Sequence, residues 1–129
     1  MADASLHALL LASAERDALV VRKLLHDTEV HDASLGFHVQ QAIEKSLKSV
    51  LAASGVIFRR THDIAELLDL LDDHGLAPPP FGERLDELTP YAVEARYGLI
   101  DPPPLDRAAV AEWTQAVLGW ARKPPGTEA

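Results

Sequence analysis

Arg59, Arg60 and Thr61 run directly into His62 and Asp63, just ahead of the apolar run that begins at Ile64. A helix starting there would offer free backbone N–H groups and the positive end of its dipole, and the two arginines would add charge. That combination suits a phosphate or nucleotide, with Arg60 and His62 as contacts. Asp63 supports a different reading. As an N-cap it would occupy those N–H groups itself and oppose an incoming anion, leaving His62 to pack or hydrogen-bond locally.

The stretch FHVQQAIEKSLKSVL, residues 37–51, carries the densest polar chemistry. At helical spacing Phe37, Gln41, Glu44 and Lys48 form one row. Leu35, Val39, Ile43, Leu47, Val50 and Leu51 form the apolar arc opposite it. His38 and Lys45 flank the row on one edge and Gln40 on the other. Glu44 and Lys48 are an i,i+4 pair in the favourable order, so a solvated face with a stabilising ion pair is one reading. The aromatic Phe37 argues instead for contact, which makes Phe37, Gln41 and Glu44 a candidate dimer or partner interface. A third reading is a ligand groove. Lys45 and Lys48 would be joined there by Arg96, binding phosphate bidentately, and Tyr97, stacking a base.

Asp17 stands in the middle of an otherwise apolar stripe, so it needs a cation, strong donors or a water-filled groove. Lys45 and Arg96 are the candidate partners. The dipeptide His-Asp occurs at His31-Asp32 and again at His62-Asp63, which invites a metal-hydrolase reading. Each pair also coincides with an expected helix start, which accounts for the aspartates without a metal. No metal or cofactor is therefore expected.

Hydrophobic periodicity supplies the elements that position these residues. A first helix over 5–25 has a stripe of Leu6, Leu10, Ser13, Asp17, Val20, Val21 and Leu24. A second runs from His31-Asp32, with Asp32 as N-cap, to Ser54, with Gly55 closing it. Asp63 and Glu66 resemble a capping box for a third helix over 64–73, ended by Gly75. The loop APPPFG follows. Leu85, Leu88, Ala92 and Ala95 mark a fourth segment interrupted by Pro90. Either Thr89 caps and Pro90 opens a second short helix, or one helix kinks. After a second proline-rich loop, Asp106 caps a last helix with Val110, Trp113, Val117 and either Trp120 or Ala121 inward. Residues 124–129 are expected to be a disordered tail. The fold class is all-α: an up-and-down antiparallel bundle of about five helices in one domain over 1–123.

Composition narrows the classes. The 129 residues suit one domain, and 47% hydrophobic content suits a real core. A net charge of −8 disfavours nonspecific binding to nucleic-acid phosphates, although a local basic patch remains compatible with it. No run is long and apolar enough for a membrane span, and the N-terminal residues have no basic leader. There is no cysteine, which excludes disulfides and thiolate sites and suits the cytoplasm.

FHVQQAIEKSLKSVL, followed by GVIFRRTHDIAELLDLL and then LTPYAVEARYG, resembles the HEPN family in order and spacing. The resemblance spans about residues 14–120. It implies a small helical bundle, usually a homodimer, associated with nucleotide or RNA binding. It also implies a minimal nucleotidyltransferase as a possible partner in a toxin–antitoxin system. The ribonuclease branch of the family uses an arginine and a histidine separated by four to six residues. That pair is missing here, because no histidine follows Arg96 and Arg59 and Arg60 stand too close to His62. The resemblance therefore implies an interaction and nucleotide-binding module with no standard catalytic residues. A stand-alone RNA binder, or a ribonuclease using His38 or His62, is the alternative.

Overall fold

The computed structural model describes residues 4–92 and 104–123. Among these the chain forms α1 (Ala4–Leu24), α2 (Asp32–Ala53), α3 (Ile64–Asp73), a short 3-10 helix (Leu85–Leu88) and α4 (Arg107–Arg122). The result is an all-α, up-and-down bundle of five helical elements, with no strand among the described residues. No helix among them is long and apolar enough to cross a membrane.

α2 is the central element, packed by α1, α3, the 3-10 helix and α4. A helix covered on all sides is buried all round. Leu35, Val39, Ile43, Leu47, Val50 and Leu51 fill the core as the periodicity predicts, with Leu67 and Leu71 from α3 and Val110, Trp113 and Val117 from α4. Ala121, and not Trp120, completes the buried stripe of α4. The stripe expected on α1 is corrected. Ala14, Ala18 and Val21 are the buried residues, while Leu6 is exposed. Ala14 and Ala18 meet Ala42 and Leu118, and small side chains there bring α1 close against α2.

Helix ends follow local chemistry. Gly55 and Gly75 both take positive φ, 74° and 68°. The amides of Val56 and Leu76 then donate back to Leu51 and Leu71, ending α2 and α3 in the same way. Asp63 caps α3, its Oδ1 accepting from Ala65 N and Glu66 N. The reciprocal half of a capping box is absent, because Glu66 turns outward to Arg59. Asp106 caps α4 through Ala109 N.

Asp32 is not the N-cap of α2. His31 holds that position with no side-chain bond, and Asp32 is the first helical residue. The Asp32 carboxylate instead accepts from Leu105 N at 3.2 Å and Arg107 Nε at 2.9 Å. The same guanidinium donates to the carbonyls of Leu25, Asp27 and Val30, closing the α1–α2 turn onto the start of α4. The fourth segment resolves into two elements. The 3-10 helix ends before Thr89, and residues 90–92 are helical again. Thr89 Oγ1 accepts from Ile64 N, tying this break to the start of α3. The expected tail over 124–129 lies outside the described residues.

Candidate functional site

Because α2 is central, its polar row is built into the molecule. Glu44, 3% exposed, is the hub. Its Oε1 accepts from Gln40 Nε2 at 3.0 Å and His62 Nδ1 at 2.8 Å, and its Oε2 accepts from Lys48 Nζ at 3.1 Å. Gln40 also donates to the His62 carbonyl and accepts from Gln41 Nε2 at 2.6 Å. A carboxylate can only accept, so His62 Nδ1 carries the proton in this bond. His62 Nε2 is then the ring atom left for an incoming ligand, on a side chain that is 50% exposed. The Lys48 ammonium also stands 5.9 Å from the Phe58 ring centroid. Three donors satisfy Glu44 and hold Lys48 and His62 in fixed positions.

A second carboxylate works on the neighbouring edge of α2. Asp17 of α1, 13% exposed in its side chain, accepts from Lys45 Nζ at 2.7 Å and His38 Nδ1 at 3.0 Å. Lys45, one of its two candidate partners, therefore joins α1 to α2 here, with His38 as an added donor. No described buried side-chain polar atom lacks a partner.

The row expected to face another subunit is corrected in part. Glu44 and Lys48 are buried, and the connector carrying Phe58 and His62 supplies contacts to both. Glu44 is therefore not an interface residue on an open face. Phe37 and Gln41 remain part-exposed, with the Phe37 ring edge-on to His38 at 5.3 Å. What the fold brings together is one surface: His38, Gln41, Lys45 and Lys48 from α2, with Phe58 and His62 from the connector. Arg59 and Arg60 are exposed on that connector. Arg59 is bidentate to Glu66, while Arg60 is in no ion pair among the described residues. Arg96 and Tyr97, the other expected groove residues, lie outside the described residues.

Charge is distributed unevenly in a way the total conceals. Residues 37–62 carry four Lys or Arg against one acid, while the rest of the chain carries eight against nineteen. An acidic protein thus concentrates its cations on α2 and its connector. No group of three or more metal-ligating side chains converges among the described residues. His31-Asp32 and His62-Asp63 each divide between separate duties.

Sequence reasoning missed some positions with readable signals. Arg107 opens α4, where a helix dipole disfavours a cation, and such a misplaced charge points to an outside contact. Gly36 lies inside α2, where glycine weakens a helix. A Cβ there would stand 2.2 Å from Tyr91 Cδ1, so close packing requires glycine. Burial, with the Asp32 charge adding to it, pushes the Tyr91 phenol up.

A model of the HEPN domain matches residues 7–123, nearly the whole chain. No curated protein and no solved structure gives a match.

Proposed function

The chain belongs to the HEPN domain family, and on that premise we propose that it is an interaction and nucleotide-binding module. Its α2–connector face takes the phosphates of a nucleotide or of single-stranded RNA. The observation that carries this reading is the concentration of Lys45, Lys48, Arg59 and Arg60 on one surface of an acidic chain. Glu44 and Asp17 support it by holding Lys48, Lys45 and the two histidines in place, which reduces the ordering needed on binding. Phe58 and Phe37 are the aromatic groups near this surface on which a base could stack. The family resemblance supports a minimal nucleotidyltransferase, in a toxin–antitoxin pair, as the partner that shares the nucleotide.

Calorimetry with ATP, GTP and a short RNA tests the reading. Binding should weaken about tenfold or more in Arg60→Glu, and should fall as salt rises. Absence of binding with about 1 mM ligand overturns it.

The Glu44–His62 pair favours a second reading, cleavage of RNA with His62 Nε2 as proton acceptor, because the carboxylate orients the imidazole as a general base requires. RNA cleaved by the unaltered protein and left intact by His62→Ala would support it. Intact RNA in both cases would end it.

A further inference from the structure

We infer that the protein self-associates by inserting Ile57 of one copy into the cleft between α3 and the proline-rich loop of another. Ile57 is 93% exposed, more than any other exposed large hydrophobic side chain among the described residues. It is followed by Phe58, Arg59 and Arg60, so it is an apolar knob with arginines beside it. Burying a lone exposed isoleucine is favourable only where a complementary hollow receives it.

The molecule carries such a hollow. Leu68, Leu71, Leu76 and Pro79 line a cleft of about 280 Å³, large enough for a branched aliphatic side chain. Asp72 and Glu83 stand at the same cleft, both exposed, and neither is in a salt bridge among the described residues. An apolar floor with two carboxylates asks for an apolar side chain flanked by cations. The connector of a second copy has that composition: Ile57 would enter the cleft, and Arg60, free of any ion pair among the described residues, would reach Asp72 or Glu83. Charge complementarity therefore selects a second copy of this chain as the occupant. Reciprocal insertion closes a two-fold dimer, whereas one-way insertion propagates. This inference does not depend on the nucleotide-binding reading.

Sedimentation equilibrium of the full chain over a concentration series tests it. Ile57→Asp removes the knob and leaves the cleft. The pair Asp72→Lys and Glu83→Lys reverses the rim and leaves the knob. All three positions are exposed, so helix content by circular dichroism should match the unaltered protein. The unaltered chain should associate with rising concentration, and each variant should associate about tenfold more weakly or worse. An equimolar mixture of the two variants should recover one-to-one complexes, because one supplies the cleft and the other the knob. A monomer up to about 1 mM, variants that associate like the parent, or a mixture that fails to recover complexes would each overturn the proposal.

Discussion

At the residue scale, Glu44 decides what the polar row of α2 is. Three donors converge on a carboxylate that water hardly reaches, so it binds Lys48 and His62 inside the fold. Removing it leaves the buried Lys48 ammonium without a partner. Glu44→Leu should therefore lower stability by about 3 kcal/mol or more in urea denaturation. Lys48→Met in the same chain should restore most of that loss, because the uncompensated charge, and not the missing bond, carries the penalty. Asp32 makes a separate prediction. The Leu105 amide, followed by the Arg107 guanidinium, holds its carboxyl below the ordinary value of 3.8. A depressed folded value adds stability above the unfolded pKa and loses it as pH falls through the folded one. Asp32→Asn should therefore melt lower than the parent near neutrality. The two should converge as the pH drops below about 4, which melting curves across that range would check.

At the element scale, the close approach of Gly36 to Tyr91 fixes how α2 meets the segment after the 3-10 helix. Gly36→Ala places a Cβ against the Tyr91 ring and should destabilise by about 1–3 kcal/mol. With Tyr91→Ala in the same chain the added methyl should be nearly harmless, a non-additivity that a double-mutant cycle would measure. Capping gives a prediction that separates structure from function. Asp63→Ala removes the two bonds that start α3 and should lower stability by about 1 kcal/mol. It also removes an anion beside His62, so ATP affinity should hold or rise. Much of this architecture was legible: Asp63, Asp106, Gly55 and Gly75 are short-range signals, and each has one physical solution. What periodicity could not show is that α2 is covered on every side. A wheel reports which residues share a face, but whether a polar face meets water depends on the chain that folds over it. Residues 58–62 fold over this one, so Glu44 reads as a surface residue in the sequence and sits at the hub of a buried network. The α1 stripe failed for a related reason. Helices that approach closely bury alanine, and a hydrophobicity pattern favours leucine.

At the scale of the whole molecule, function rests on a partition of charge. The net −8 argues against a phosphate ligand only if charge is spread evenly, and it is not. The cations of α2 and its connector lie on one surface, while α3 carries Asp69, Asp72 and Asp73. The same molecule can therefore present a basic face to an anion and an acidic cleft to a basic knob. Those two surfaces share the connector, so Arg60 is the residue at which ligand binding and self-association would compete. The most direct measurement of the central claim is an amide NMR titration of the full chain with ATP at low salt. The account predicts shifts centred on Gln41, Lys45, Lys48 and residues 58–62, diminished in Arg60→Glu. No perturbation at about 1 mM ATP, or perturbation confined to α3 and the proline-rich loop, would contradict it.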